Sequence, residues 1–245
     1  MEQDFYQRVK RTKNVGDSEF GNTDLSYCYC KKVLQREIGN INGLKILDIG
    51  TNRGTLPWKF YRGGVKEVYG IDLRKEGILS GKAQYKNIAE RLFYHEDARN
   101  LPFENNSFDV VCMFDVIEHI PHVEQYLKEV IRVLKNGGIF LFQTPNKPVN
   151  MIFEAIRNHS FTEYKNYHCS LQTVFSLKRI LKGAGFEQIV VEKYTLFSKF
   201  NRKKVRKYFG IFGMPIMRLC SMLPLPLFPN LWGYAKKCDG KRCRF

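Results

Sequence analysis

Seven short apolar runs, most of them separated by helical patterning, admit few folds for this chain. They fall at 44–50 (LKILDIG), 65–73, 92–97, 107–114, 139–144, 186–194 and, more weakly, 230–237. The run at 107–114 is apolar without interruption from Val110 to Phe114, the pattern of a parallel strand covered on both faces. Between the runs lie helical segments. One is expected over 24–38 with Asp24 or a neighbour as N-cap, and another over 55–64 with Pro57 in its first turn and Gly63-Gly64 as its stop. A third, weaker one spans 74–90. A fourth opens at Pro121 and runs to Lys135, with Val123, Leu127, Val130, Ile131 and Leu134 on one stripe and Gly137-Gly138 ending it. A fifth is capped by Ser170 and closes at Gly183 and Gly185. Strands alternating with helices at this spacing build βαβ units and a parallel sheet. A closed eight-unit barrel needs three more units than the remaining residues are patterned for. The expectation is a doubly wound, Rossmann-like α/β sheet, mostly parallel, of seven strands with helices on both faces.

The chain of 245 residues divides into an N-terminal arm and helix (1–40), a core (41–194), a basic and apolar insertion or cap (195–229) and a final strand with a basic tail (230–245). The net charge of +16 is unevenly placed. From Lys193 onward there are thirteen Lys and Arg against one acid, Asp239, so the core itself is nearly balanced. The start, MEQDFYQRVKRTK, lacks the apolar stretch of an export signal, and a cytoplasmic setting is expected. Seven cysteines at scattered positions read as reduced thiols, and neither Cys28-x-Cys30 nor Cys238-x4-Cys243 has the spacing of a zinc site. No metal is expected.

Ligands of such sheets bind beyond the carboxyl ends of the strands. Three strand ends carry suitable residues. Asp48-Ile49-Gly50-Thr51-Asn52-Arg53-Gly54 follows the first strand, where glycines let the backbone turn tightly and a ligand come close. Asp72 ends the second strand, and a carboxylate there can accept both hydroxyl protons of a ribose. Asp97, followed by Ala98, ends the third and can take an adenine amino group. The glycines at 50 and 54 do not form the G-x-G-x-x-G that seats a pyrophosphate, and no Walker-type loop is present. An adenosyl cofactor without phosphates fits better than NAD.

On these segments the chain resembles the class I S-adenosylmethionine-dependent methyltransferases. The likeness covers about 42–192 and rests on LDIGTNRG (47–54), YGIDL (69–73), EDARNLPFENNSFDVV (96–111), DVIEHI (115–120), LKNGGIFLFQTPN (134–146) and LKGAGFE (181–187). It is nearest the branch that holds the ubiquinone-biosynthesis O-methyltransferases and related small-molecule and glycan enzymes. The resemblance implies S-adenosylmethionine as cofactor. It sets Asp48, Gly50, Asn52 and Gly54 around the methionine part, Asp72 at the ribose, Asp97 and Ala98 at the adenine, and Phe114 to Val116 along the cofactor. Asn52 stands where the family has glycine, and asparagine tolerates positive φ better than other side chains.

Methyl transfer is an in-line displacement that needs alignment first, and a base only where the acceptor is a hydroxyl. His119 stands past the fourth strand, where a base is useful; packing or hydrogen bonding beside the cofactor is the competing role. His122 reads as a surface residue. His159 and His168 lie in the 146–169 segment, which is placed to roof an acceptor. The nucleobase amine methylators' [DNS]-P-P-[YFW] is replaced by Phe114-Asp115-Val116-Ile117, and no Pro-Cys nucleophile stands there. An O-directed enzyme for a small or lipid-linked acceptor is therefore expected. In the basic segment 199–232, four prolines and Arg218 interrupt any membrane span. Lys and Arg beside Phe, Met and Leu suit an anionic membrane surface, with peripheral attachment. RNA binding, an RNA methyltransferase, and a cofactor-binding protein without catalysis are the alternatives.

Overall fold

The computed structural model describes residues 19–158, 168–195, 197 and 199–239. Helix α1 (Glu19–Glu37) leads into β1 (Lys45–Ile49), α2 (Thr55–Arg62), β2 (Glu67–Asp72), α3 (Lys75–Gln84), β3 (Leu92–Tyr94) and β4 (Phe108–Phe114). Then come α4 (Val123–Val133), β5 (Leu134–Pro145), α5 (Lys147–Asn158), α6 (Val174–Ala184), β6 (Phe186–Glu192), α7 (Lys199–Phe209), α8 (Gly213–Met222) and β7 (Asn230–Lys237). The seven strands form one sheet in the order β3-β2-β1-β4-β5-β7-β6. All neighbours are parallel except β7, which runs antiparallel between β5 and β6. The doubly wound α/β expectation holds. The chain reverses direction across the sheet between β1 and β4, so their carboxyl ends flank the crevice where such sheets bind ligands.

Each face of the sheet is covered by an apolar layer. On one side Leu47, Ile49, Val111, Met113, Phe140 and Phe142 pack with the stripe Val123, Leu127 and Val130 of α4 and with Leu177 and Leu181 of α6. On the other, Ile46, Val68, Val110, Cys112 and Leu141 pack against α1 and α2 through Tyr29, Val33, Leu34, Leu56 and Phe60. Alternate residues of one strand thus serve opposite layers, which is why β4 is buried throughout its central stretch.

Several expected boundaries move. The first helix begins at Glu19, so Asp24 is not its cap; its carboxylate instead pairs with Lys59 Nζ at 2.6 Å. The third helix stops at Gln84 and continues as a 3-10 stretch from Lys86 to Arg91. The fourth opens at Val123 after His122, whose φ of +51° sets it outside the helix. Gly137-Gly138 do not end that helix. They lie inside β5, where the pairing with β4 shifts between Phe108 and Val110, and Lys135 bonds both oxygens of Asp109 across the irregularity at 2.8 and 2.9 Å. Thr173, not Ser170, caps α6. Thr173 and Ser176 bond each other's amides, whereas the Ser170 amide is committed to Glu118 O at 3.0 Å. Cys28, Cys30, Cys112, Cys169 and Cys220 are free thiols, but Cys238 is disulfide-bonded, so the all-thiol expectation fails there. Helix α5 is an addition that the sequence pattern did not announce.

Leu127 is fully buried between α4 and the sheet. Leu127→Ala is expected to cost roughly 2–5 kcal/mol through lost transfer energy and the cavity left behind. A urea midpoint unchanged from wild type would contradict this packing.

Candidate active site

The turn after β1 is shaped by positive φ at Gly50 (+77°), Asn52 (+52°) and Gly54 (+78°). A Cβ on Gly50 would lie 2.3 Å from Val116 Cγ2, so the turn passes directly against the segment that leaves β4. At Gly54 a Cβ would meet Leu92 Cδ2 at 2.5 Å. Asn52 holds its left-handed conformation as a non-glycine residue can, and it is buried. The Gly50 and Thr51 amides both reach Ile71 O, at 2.9 and 3.1 Å, and tie the turn to β2.

Asp72 is the hub of this corner. Its Oδ2 accepts from the Asn52 amide at 2.7 Å and its Oδ1 from the Arg74 amide at 2.8 Å. Oδ2 keeps a second lone pair for a ligand hydroxyl, while Oδ1 also pairs with Arg74 Nε at 3.5 Å. The sequence assigned Asp72 a ligand-facing part alone; its second part, fastening the Asn52 turn, follows only from the fold. Asp97 departs from expectation. β3 ends at Tyr94, and Asp97 sits in the following turn with its carboxylate held by Arg99 Nε at 2.8 and 3.0 Å, which keeps it below the usual carboxylate range. Ala98 packs against the core beneath it, Val116 crosses over Gly50, and Phe114 turns to the opposite layer, where its ring lies 5.8 Å from that of Trp232. Asn52 and Asp72 are hydrogen-bonded, Val116 covers Gly50, and Asp48 lies near enough to Asp72 to feel its charge, so these five residues share one corner.

The fit to an adenosyl cofactor rests on the buried Asn52 Nδ2, which has no acceptor among the described residues. An unpartnered buried amide donor is costly, and a ligand carboxylate or hydroxyl would satisfy it.

Beyond β4 the chain turns through Asp115 (φ +53°) and a 3-10 stretch, Ile117–His119. Glu118 points inward, 1% exposed, with Oε2 accepting from Thr144 Oγ1 at 2.9 Å. Burial first, and then the Asp115 charge, push its carboxyl well above the ordinary range. His119 points outward, its side chain 37% exposed and its Nε2 3.9 Å from Glu118 Oε1. His168 lies beside it, the rings 5.0 Å apart. His122 is exposed at the surface as expected, and His159 lies outside the described residues. Sequence reasoning missed Glu118; its one signal was an acid next to the apolar pair Val116-Ile117.

The segment after β6 forms a cap. Helices α7 and α8 share a small core, Met217 and Phe228 with Val205 and Cys220. Asn146, at the end of β5, grips the returning chain: its Nδ2 donates to Pro226 O and Phe228 O at 2.9 and 2.8 Å, and its amide to Pro229 O at 2.9 Å. The cap is thus anchored at the carboxyl edge of the sheet, the same edge that carries Gly50, Asp72 and His119. No helix among the described residues is long and apolar enough to cross a membrane.

Burial raises the Asp48 carboxyl to about 7, with the nearby Asp72 charge adding to the effect. That lies above the ~3.9 of an unfolded chain, so the native state binds this proton more tightly. The group's effect on stability is most favourable below about pH 4 and is lost as pH rises through 7. Asp48→Asn is expected to shrink the stability difference between pH 5 and pH 8 by on the order of 2 kcal/mol, measured by urea denaturation. Equal slopes in both proteins would exclude a buried, proton-holding Asp48.

Comparison with known proteins agrees with this geometry. Residues 23–192 match the model of the Methyltransferase domain family. The demethylmenaquinone methyltransferase of Staphylococcus saprophyticus is 30% identical over 185 residues, covering 67% of this chain and 79% of that protein. Among solved structures, phosphoethanolamine N-methyltransferase 2 of Haemonchus contortus, in complex with phosphomonomethylethanolamine and S-adenosylhomocysteine, superimposes with a TM-score of 0.63 at 21% identity. The alignment covers 96% of this chain, which spans only 60% of the length of that one. The YcgJ protein of Bacillus subtilis gives 0.59 at 18% identity, covering 89% of this chain and all of its own. The chain belongs to the Methyltransferase domain family and is a class I S-adenosylmethionine-dependent methyltransferase.

Proposed function

We propose that this chain methylates a hydroxyl of a small or lipid-linked acceptor presented at an anionic membrane surface, with His119 as general base. One observation carries the reading: a single edge of the sheet bears the cofactor corner, an outward-facing imidazole and an anchored cap whose outer face is basic and apolar. In this reading Asp48, Gly50, Asn52 and Gly54 cradle the methionine part, Asp72 accepts from the ribose, and Asp97 and Ala98 border the adenine. Phe114 and Val116 line the cofactor from the β4 side. Bound S-adenosylmethionine supplies a methyl group on a sulfonium. The remaining task of the protein is to align an acceptor and remove its proton.

The cap's outer face supports the membrane part. Ile211 is 85% exposed, Met222 79%, Phe212 67% and Leu219 66%, while Arg202, Lys203, Arg206 and Lys207 stand exposed along α7. Apolar side chains of this number are normally withdrawn from water, and each nearby cation adds about 1 kcal/mol at an anionic surface. Carbon methylation of a quinol ring is a second reading, favoured by the name of the Staphylococcus saprophyticus relative. It places the same kind of isoprenoid-tailed aromatic at the same edge.

Asp72→Ala, which removes a ribose acceptor and the Asn52 anchor together, is expected to weaken S-adenosylmethionine binding by roughly tenfold to a hundredfold in calorimetry. His119→Ala is expected to lower turnover about 10²-fold with cofactor affinity nearly intact. Turnover is read with a prenylated catechol and a prenylated naphthohydroquinone in vesicles, and product NMR separates oxygen from carbon methylation. Full binding by Asp72→Ala, or full turnover by His119→Ala, would refute the assigned roles.

Vesicle sedimentation tests the surface. Wild type is expected to sediment with phosphatidylglycerol vesicles at low salt and not with phosphatidylcholine. The triple variant Lys203→Gln, Arg206→Gln, Lys207→Gln is expected to stay in solution. Equal behaviour of the two proteins would sink the idea; binding to RNA alone would favour the nucleic-acid alternative.

A further inference from the structure

His168 comes to the site from a part of the chain far from β4, and the backbone holds it there. The Ser170 amide bonds Glu118 O at 3.0 Å, and Gln172 O accepts from the Lys147 amide at 2.9 Å. Gln172 Nε2 closes the bend on Ser170 O and Oγ at 2.9 and 3.0 Å. The segment is therefore pinned at one end to the turn after β4 and at the other to the start of α5. This places the His168 ring 5.0 Å from that of His119, tilted by 43°. One nitrogen of each ring and one carboxylate oxygen of Glu118 lie within 4.8 Å of one another.

We propose that His119 and His168 act as a coupled pair holding one proton between two rings, with His168 the positioning residue that keeps a neutral imidazole facing the methyl acceptor. The proposal rests on the reading of His119 as the general base. Two imidazolium charges this close repel strongly, so the rings protonate in two separate steps. Among the described residues Glu118 faces the pair from the turn after β4, with the Asp115 charge near Glu118 and Cys169 next to His168 in the chain. Thr144 contributes only a neutral hydroxyl. Glu118 is held toward its neutral form by burial, so this carboxyl does not supply the fixed negative charge that would stabilise both rings as cations. Across neutral pH one ring carries the proton and the other accepts. The acceptor hydroxyl gives its proton to the neutral ring while the protonated ring releases its own to solvent, so the pair never carries two charges, and the oxygen takes the methyl. The carbon–sulfur electron pair stays with sulfur and cancels the sulfonium charge.

The test is histidine NMR on the full chain, labelled with 15N-histidine, in the presence of S-adenosylhomocysteine and titrated from about pH 5 to 9. His119→Gln and His168→Gln assign the two rings among the five histidines. In wild type each ring is expected to sense two protonation steps, separated by about one pH unit or more. In His168→Gln, His119 is expected to titrate in one step. His168→Phe, which keeps a ring in place without a charge, serves where the glutamine variant does not fold. Identical single-step titration of His119 in wild type and variant would overturn the pair. So would a loss of S-adenosylhomocysteine affinity beyond about threefold in a folded His168 variant, which would make His168 structural. Loss of the general-base reading itself would appear elsewhere, as undiminished turnover of His119→Ala, and leaves the titration curves unchanged.

Discussion

The site depends on one steric fact: the turn leaving β1 runs so close to the segment leaving β4 that position 50 has no room for a Cβ. That approach brings Val116 over Gly50, and within three residues of Val116 the chain has delivered Glu118 inward and His119 outward. The left-handed φ values at Gly50, Asn52 and Gly54 on one side and Asp115 on the other are what let two parallel strands end in a shared corner without colliding. Asp72 then locks the corner from β2. Cofactor residues and the proposed base are thus not independent features of the sheet. They follow from the same crossing.

Much of this was legible in the sequence because it is written in backbone requirements. Gly50 and Gly54 follow a buried strand, Asp72 ends the next, and both are required by geometry that only certain residues satisfy. The seven apolar runs marked the seven strands, and β7 at 230–237 was read with its observed ends. Other features depend on distant partners and left weaker traces. Gly137-Gly138 carry a helix-stop signature, but the pairing of Leu134 with Phe108 extends the strand back through them. Ser170 has the chemistry of a cap, yet its amide serves Glu118. Asp97 was placed at a strand end, whereas the local Arg99 claims its carboxylate. The meeting of His119 with His168 arises from hydrogen bonds between segments fifty residues apart and has no local signature.

The cap illustrates how charge and apolarity are resolved in three dimensions. Its sequence reads equally as a packed lid or as a membrane-facing element. The structure divides the labour: Met217 and Phe228 are withdrawn into a small core, while Ile211, Phe212, Leu219 and Met222 remain outside. Such an arrangement separates stability from contact. Asn146 secures the cap through carbonyls of its returning strand, so the outer residues are free to vary without disturbing the anchor.

The strand order β5-β7-β6 has a consequence for how the chain is made. β7 is the last strand in sequence, yet it lies inside the sheet, with β5 on one side and β6 on the other. Until residues 230–237 emerge from the ribosome, the ladder of β5 opposite β4 has no partner, and the apolar stretch Ile139 to Phe142 is bordered by an open edge. Unpaired edges of this kind recruit other chains. Synthesis of the cap delays closure by the time needed to translate nearly forty residues, on the order of two to eight seconds at ~5–20 residues per second. During that interval the corner formed by β1, β2 and β4 stands on an unfinished sheet.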